Sequence, residues 1–248
     1  MQIFCCIAYR GGCSIGAMKT IGVLGGMGPE ATAEFFFQLI ACDPCARDQD
    51  HVHIVVECDP SIPDRTAFIL GRGEDPLPSM VLATERLRAA GAQIAGIPCI
   101  TAHCFLPRLR ALASLPFISA LEAMETALCA EYPGIESLGI LGTAGSKAAG
   151  IYEANLKGRK ILWPGETIQH GKVMEAIYGS RGIKAGFRGS DSKELLLEAA
   201  AALKAQGAQA IVAGCTEVPL VLSQDALDLP FIDPMRILAK ALVAAART

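Results

Sequence analysis

The feature that most constrains the fold is an internal repeat. Three pairs of segments recur in the same order, 114 to 117 residues apart: IGVLGGMG (21–28) with LGILGTAG (138–145), GAQIAGIPC (91–99) with GAQAIVAGC (207–215), and LPFIS (115–119) with LPFID (229–233). Three ordered matches at nearly one spacing indicate that the chain contains two copies of one structural unit.

Each copy alternates short apolar runs, which are typical of strands, with longer helical patterns. The predicted strands cover residues 20–24, 53–58, 94–98, 117–119, 138–141, 160–163, 210–213 and 231–232. Helical patterns such as 78–90 and 192–206 are each followed by a glycine, which commonly ends a helix. Strands that alternate with helices predict parallel sheets. The expected fold class is therefore α/β, with two similar domains, each a parallel-sheet α/β sandwich, and a cleft between them.

The repeat also predicts domain boundaries. We expect one domain to comprise residues 18–116 and 224–248, and the other to comprise residues 117–223. Met18 opens the strand-like run MKTIGVLGG, so residues 1–17 are interpreted as a non-native or upstream extension.

Composition excludes several classes of protein. The formal net charge is −3, and the sequence has no segment rich in lysine and arginine, which argues against a nucleic-acid-binding protein. No apolar run reaches the roughly 18 residues that a membrane span needs. The 10 cysteines form no small-domain disulfide framework, and a chain of this length with such a pattern is typical of the reducing cytoplasm. We expect a cytoplasmic protein whose partner is a small molecule, with neither nucleic-acid nor membrane partners.

A glycine-rich turn, GMGPEA at 26–31, links the first strand to a helix. Its spacing fits a dinucleotide-binding turn, but Pro29 is a natural first helical residue, so Gly26 and Gly28 also fit a simple tight turn. The second copy, GTAGSK, lacks the third small residue. We therefore favour a helix N-terminus that receives a small anion over a nicotinamide site. The four histidines form no tight cluster of zinc ligands, so neither a metal nor a cofactor is predicted.

Cys99 and Cys215 occupy the same position in the two copies, each at a predicted strand end and each followed closely by a threonine. Ligands bind at the carboxyl ends of parallel strands, so we expect the two thiols on opposite walls of one cleft. A buried cysteine usually packs as a small apolar residue, which is our interpretation of Cys58 and Cys129. Packing alone does not explain why a thiol recurs at a ligand-binding position.

Two facing thiols allow several chemistries. One cysteine could act as a nucleophile, or the two could form a redox pair. Alternatively, a thiolate removes a proton from one face of a carbon while a thiol delivers one to the other face. A free thiol titrates near about pH 8.5, so a modest shift in its pKa suits both roles. The symmetry of the pair favours the last of these, inversion at a stereocentre.

A series of ordered motifs resembles the aspartate/glutamate racemase family, most closely its aspartate racemase branch. They run from about Met18 to the end of the chain: GGMGPEAT (25–32), DQDH (48–51), PSIPDRT (60–66), GEDPLP (73–78), PCITAH (98–103), GIY (150–152), GIKAG (182–186), GCTEVPL (214–220) and DP (233–234). The resemblance implies a racemase without a cofactor, with its active site between two α/β domains and usually a homodimeric assembly. It implies that Cys99 and Cys215 are the catalytic residues.

The resemblance also implies the substrate-binding residues. Arg65 and Lys184 would hold a side-chain carboxylate, and Thr101 and Thr216 would help to hold the α-carboxylate, together with the turn formed by Gly26, Met27 and Gly28. Without the resemblance, Arg65 reads as a surface ion pair with Asp64 or Glu57, and Lys184 as a solvated lysine. Glu217 would either tune the Cys215 thiol or cap a helix, and His103 would either tune Cys99 or simply pack.

Ile100 departs from the family pattern, which has asparagine directly after the first cysteine. Isoleucine cannot donate a hydrogen bond to a carboxylate, and loss of one such donor costs on the order of 10²–10³ in rate in comparable sites. The sequence therefore predicts a racemase that interconverts L- and D-aspartate, with glutamate as a less favoured substrate. Two alternatives stay open: a related isomerase or decarboxylase of a dicarboxylic acid, such as a maleate isomerase, and a weakly active protein that binds a metabolite.

Overall fold

The computed structural model describes residues 18–248, so the interpretation of residues 1–17 lies outside the described part of the chain. Within that range the strands are β1 (Ile21–Gly25), β2 (Ile54–Cys58), β3 (Ile94–Gly96), β4 (Ser137–Gly142), β5 (Lys160–Leu162), β6 (Ala210–Gly214) and β7 (Phe231–Ile232). They form two sheets, ordered β2-β1-β3 and β5-β4-β6-β7, and all their pairings are parallel. The α/β fold class with parallel sheets is confirmed.

The two sheets reproduce the sequence repeat. In each sheet the first strand of the copy, β1 or β4, lies between the second and third strands of that copy. Phe117 forms a single parallel bridge with Ala95 at the position that β7 occupies in the second sheet. Strands β1, β4 and β6 are almost wholly buried, as expected for parallel strands that are covered on both faces.

The helices surround these sheets. They are α1 (Pro29–Cys42), α2 (Arg65–Ile69), α3 (Leu77–Ala89), α4 (Leu106–Leu112), α5 (Ala120–Glu131), α6 (Ala144–Ala148), α7 (Ile151–Asn155), α8 (Glu166–Ile168), α9 (Glu175–Tyr178), α10 (Ser190–Ala205) and α11 (Pro234–Ala246). A π-helical segment, Gln169–Met174, joins α8 to α9. The predicted glycine signals after α3 and α10 are confirmed, because Gly91 and Gly207 have φ values of +95° and +94°.

The end of the chain connects the two halves. Strand β7 pairs with β6 in the second sheet, whereas α11 packs against α1 of the first copy and against α5. The domain boundaries after residues 116 and 223 stay a prediction. The interpretation of Cys58 and Cys129 as core residues is wrong: Cys58 lies at the end of the edge strand β2, Cys129 lies on the outer face of α5, and both are exposed. No helix among residues 18–248 is both long enough and apolar enough to cross a membrane.

Candidate active site

The two cysteines of the repeat lie together at the strand ends. Cys215 directly follows β6, Cys99 follows β3 after a short turn, and both are buried with 6% of their surface exposed. They line one inner pocket of about 10 Å³, which is room for about one water molecule. Most of the predicted site residues line the same pocket: Met27, Arg65, Cys99, Thr101, Lys184, Cys215, Thr216 and Glu217.

Gly26 and Gly28 lie outside the inner pocket and border a neighbouring cavity of about 310 Å³, which we call the vestibule. The vestibule shares Met27, Arg65, Lys184 and Glu217 with the inner pocket, so these side chains separate the two spaces. At Gly26, where φ is +91°, a Cβ atom would lie 2.3 Å from the backbone of Asp59, so glycine is required there. The turn therefore borders the approach to the thiols.

Glu217 links Cys215 to Lys184. The Cys215 thiol donates a hydrogen bond of 2.8 Å to Oε2 of Glu217, and the Lys184 ammonium lies 2.6 Å from Oε1. Burial raises the pKa of Cys215 well above its ordinary value, and the negative charge of Glu217 adds to the rise. Burial alone would raise the pKa of Glu217, but the Lys184 charge and the hydrogen bonds outweigh it and lower that pKa. The arrangement therefore holds a protonated Cys215 against an ionised Glu217.

Arg65 begins α2 and is buried beside Cys99. Its Nη1 donates to the carbonyl oxygens of Ile62 and Pro63 at 3.1 and 2.9 Å, and its Nη2 donates to that of Met27 at 3.0 Å. Its Nε is buried and has no partner among the described residues. Burial alone would lower the pKa of Arg65, but negative charge on Cys99 and Asp64 helps to raise it. The guanidinium is thus fixed by backbone and keeps a free donor.

The alternative interpretation of Arg65 as a surface ion pair is wrong. Its residue exposure is only 7%, and the half-buried Glu57 pairs instead with Arg86 at 2.7 Å. Asp64 serves as the N-cap of α2, because its side chain accepts the backbone N–H of Ala67 at 2.7 Å. Arg65 is consequently free of carboxylate partners at short range, which suits it to an external anion.

A cluster of buried hydroxyls forms another wall of the site. Thr101 Oγ1 lies 3.1 Å from Thr143 Oγ1 and 2.9 Å from Ser146 Oγ, and Thr66 donates to Thr143 at 3.3 Å. Sequence reasoning found Thr101 and missed the other three residues. A signal for two of them existed, because Thr143 and Ser146 stand in GTAGSK, the counterpart of the glycine-rich turn. The cluster supplies several O–H donors at the pocket wall.

Tyr178 is a further pocket residue that sequence reasoning missed. Its hydroxyl donates to Oδ2 of Asp64 at 3.0 Å, although the two residues are 114 positions apart in sequence. The Lys184 ammonium lies 5.5 Å from the centre of the Tyr178 ring, within range of a cation–π contact. Tyr178 thus ties the second copy of the repeat to the first across the pocket.

His103 lies behind Cys99 and does not line the pocket. Burial lowers the pKa of His103 to about 4, so the ring is neutral at pH 7. Its Nε2 accepts the backbone N–H of Ala120 at 3.0 Å, which leaves Nδ1 to donate to the Cys99 carbonyl oxygen, also at 3.0 Å. The imidazole therefore fixes the backbone at Cys99. Ile100, by contrast, is 1% exposed and lines the inner pocket where the family pattern places an amide.

A separate group of possible metal ligands, Asp43, Cys45 and His51, lies elsewhere in the fold. The carboxylate of Asp43 is already engaged, since it accepts the backbone N–H of Val52 at 2.8 Å and the Nε–H of Arg247 at 2.6 Å. A guanidinium at the centre of this group opposes a second cation by Coulomb repulsion. The group fits a clip that holds Arg247 near the chain end.

Comparison with known proteins agrees with this arrangement. Residues 24–242 match the model of the Asp/Glu/hydantoin racemase family. The chain is 25% identical over 233 residues to the broad specificity amino-acid racemase RacX of Bacillus subtilis (strain 168), a match that covers 90% of this chain and 96% of that protein. Aspartate racemase from Picrophilus torridus superposes with a TM-score of 0.77 at 26% identity, covering 92% of this chain and 94% of that one.

A glutamate racemase from Francisella tularensis shares the fold, with a TM-score of 0.62 at 16% identity over 91% of this chain and 80% of that one. The family match spans most of the chain, and the duplicated α/β architecture with its paired strand-end thiols is consistent with it. The chain therefore belongs to the Asp/Glu/hydantoin racemase family and is an isomerase of the amino-acid racemase type.

Proposed function

We propose that the protein interconverts L- and D-aspartate without a cofactor, with Cys99 and Cys215 exchanging the α-proton on opposite faces of the substrate. The observation that carries the proposal is the convergence of two repeat-related thiols on one closed pocket. Arg65, Lys184 and the hydroxyl cluster surround the same space, so donors for two carboxylates stand next to the thiols.

We infer a starting state for the reaction from the contacts of the two cysteines. Cys215 donates a hydrogen bond to Glu217 and therefore carries a proton, whereas Cys99, which lies beside the Arg65 guanidinium, is proposed as the base that accepts the α-proton. Removal of that proton by Cys99 leaves a carbanion, and Cys215 delivers its own proton to the opposite face. The product is the mirror image, with the proton now on Cys99 and the charge on Cys215. The opposite enantiomer reacts by the reverse path.

Donors around the α-carboxylate stabilise the carbanion. Developing charge spreads into that carboxylate, and fixed hydroxyl donors in a buried pocket stabilise it more than bulk water does. Thr101 and Thr143 of the hydroxyl cluster line the pocket and carry such hydroxyls, whereas the Thr216 hydroxyl, which also lines it, donates to Oε2 of Glu217 at 3.1 Å. We infer that this cluster supplies part of what the missing amide at position 100 would give.

Arg65 and Lys184 provide the site for the side-chain carboxylate. The free Nε–H of Arg65 and a remaining Nη2–H form a planar fork, which suits a bidentate carboxylate. The choice of aspartate over the longer glutamate rests on the resemblance to the aspartate racemase branch. Because a pocket of about 10 Å³ cannot hold either amino acid, substrate entry requires contacts across the cleft, such as Tyr178 with Asp64, to open.

A broader substrate range is the second candidate. Glu217 pairs with Lys184 and offsets its charge, so selection of an acidic side chain depends mainly on Arg65. The Bacillus subtilis relative is named as a broad specificity amino-acid racemase, which fits a weaker requirement for a side-chain carboxylate.

From the family resemblance we also propose a cytoplasmic homodimer. The exposed side chains of Phe36, Phe37 and Ile40 on α1 offer an apolar face for it, and sedimentation equilibrium would measure the assembly.

Incubation with L-aspartate in heavy water tests the proposed function. Proton NMR follows loss of the α-proton, and chiral chromatography follows the enantiomer. We expect deuterium uptake together with D-aspartate, with slower turnover of glutamate and of neutral amino acids. Absence of both signals with every amino acid would contradict the proposal. Parallel incubation with maleate tests the alternative of a dicarboxylic-acid isomerase, which would convert maleate. A thermal shift with aspartate but no turnover would identify a protein that only binds the metabolite.

A further inference from the structure

Tyr152, in the GIY motif, is a buried residue to which the proposed mechanism gives no role. It lies on α7, is fully buried in the main apolar core, and packs edge-on against Trp163 with ring centres 5.7 Å apart. Its hydroxyl is buried and has no hydrogen-bond partner among residues 18–248. An unpaired buried hydroxyl lowers the free energy of unfolding, which indicates that this one has a role other than stabilising the fold.

The hydroxyl is directed at the backbone that carries Cys215. A Cβ atom at Gly214, the residue before Cys215, would lie 3.0 Å from the Tyr152 hydroxyl oxygen and 2.6 Å from Ile140 Cγ2. Glycine at 214 therefore leaves space for the phenol next to the active-site strand end. Burial raises the pKa of Tyr152 well above its ordinary value, and negative charge on Cys215 adds to the rise, so the phenol keeps its proton when Cys215 is charged.

The repeat shows that this hydroxyl belongs to one side of the site only. At the spacing of 117 residues that relates the two glycine-rich turns, Tyr152 corresponds to Phe35, which is also buried. The ring is thus common to both copies, whereas the hydroxyl stands only beside Cys215. The thiol of Cys104 also lies near Tyr152, but burial raises the pKa of Cys104 to about 12, so it remains a neutral neighbour at pH 7.

We propose that Tyr152 is a positioning residue whose hydroxyl donates a hydrogen bond to the Cys215 sulfur once that sulfur has lost its proton. As a thiol, Cys215 donates to Oε2 of Glu217 at 2.8 Å. As a thiolate it has no proton to donate and is repelled by the same carboxylate, so it needs a donor on another side. The proposed hydrogen bond requires the Cys215 side chain to rotate away from Glu217 toward the free phenol O–H, and Tyr152 keeps its own proton throughout.

This inference rests on the proposed function, in which Cys215 alternates between thiol and thiolate. The test is therefore made on the thiol itself and needs no turnover. Only the thiolate reacts with iodoacetamide, so the rate at each cysteine reports its thiolate fraction. We would measure alkylation at Cys99 and Cys215 separately, by mass spectrometry of their peptides, in the wild-type protein, in Tyr152→Phe, and in Tyr132→Phe as a control. Tyr132 borders a groove that shares no lining residue with the inner pocket.

We expect Tyr152→Phe to slow alkylation of Cys215 roughly tenfold, which corresponds to about one unit in its pKa, and to leave Cys99 unchanged. The unfolding temperature should be equal or higher, because the substitution removes an unpaired polar atom and keeps the ring. An unchanged alkylation rate at Cys215, or an equal fall at both cysteines, would overturn the proposal.

Racemisation is a second readout. In Tyr152→Phe, kcat/KM should fall about tenfold, and full activity in this variant would also overturn the proposal. If the protein has no racemase activity, the proposed function is refuted, and the alkylation rates still test the contact between Tyr152 and Cys215 independently.

Discussion

Replacing Glu217 by glutamine probes the charges beside Cys215. Glutamine keeps the shape of the side chain but removes the charge that faces the Lys184 ammonium at 2.6 Å. The Glu217 side chain is 4% exposed and that of Lys184 is 20% exposed, so the pair is largely shielded from water. Breaking a buried pair by removing one partner costs about 3–5 kcal/mol, and the partial exposure of Lys184 places this case near 3 kcal/mol. For a chain of this size that equals a fall of roughly 6–12 °C in unfolding temperature.

The same substitution should make Cys215 more acidic. Negative charge on Glu217 contributes to the raised pKa of Cys215, so its removal lowers that pKa and increases alkylation of Cys215 at neutral pH. Thermal unfolding by circular dichroism and peptide-resolved alkylation measure the two effects. Glu166→Gln is a matched control, because Glu166 also lies 2.6 Å from a lysine, Lys147, but its side chain is 73% exposed. Similar unfolding temperatures for the two variants, or a less reactive Cys215 in Glu217→Gln, would refute this reasoning.

Three further predictions concern neighbouring residues. The pKa of His103 falls from its ordinary 6.5 to about 4, so its contribution to stability is complete above pH 6.5 and is lost as the pH falls toward 4. Urea unfolding should show that the free energy of unfolding falls by roughly 3 kcal/mol over that pH window, and His103→Gln should remove this contribution. An identical dependence of the unfolding free energy on pH in the variant would argue against the role of His103. Arg65→Lys replaces a planar fork held by three carbonyl oxygens, so steady-state kinetics should show KM for aspartate at least about tenfold higher, and an unchanged KM would exclude the assigned role. Ile100→Asn adds a donor and removes buried apolar contacts, so kcat/KM should rise by at least about tenfold while the unfolding temperature falls; a lower rate would show that the site is organised around isoleucine.

The repeat made the position of the thiols predictable from the sequence. It places Cys99 and Cys215 at equivalent strand ends, and parallel strands end at one edge of a sheet, so both were expected at the cleft. Boundaries were less predictable. The third strand was expected to reach residue 98 but ends at Gly96, since Pro98 has no N–H for a sheet and the chain turns into a 3₁₀ turn at Thr101–Phe105. Only Phe117 of the predicted strand 117–119 pairs, because Ser119 caps α5.

The contacts around the thiols could not be read from sequence. Thr66 reaches Thr143 across 77 positions and Tyr178 reaches Asp64 across 114, so these pairs exist only when the two copies of the repeat face each other. Likewise, nothing local shows that Lys184 is paired with Glu217 or that the fork of Arg65 is held by backbone carbonyl oxygens. Sequence patterns gave the chemical type of these residues, whereas tertiary packing decides which of their atoms remain free for a substrate.

The most direct test of the two-thiol mechanism is deuterium exchange in the single-cysteine variants. Cys99→Ser and Cys215→Ser would each be incubated with pure L-aspartate and pure D-aspartate in heavy water, and α-proton loss and configuration would be followed separately. With one base left, a proton can leave and return on one face only. We expect each variant to lose racemisation and to exchange the α-proton of a single enantiomer, with opposite enantiomers for the two variants. Full racemisation by either variant, or exchange of the same enantiomer by both, would contradict the assignment of Cys99 and Cys215 to opposite faces of the substrate.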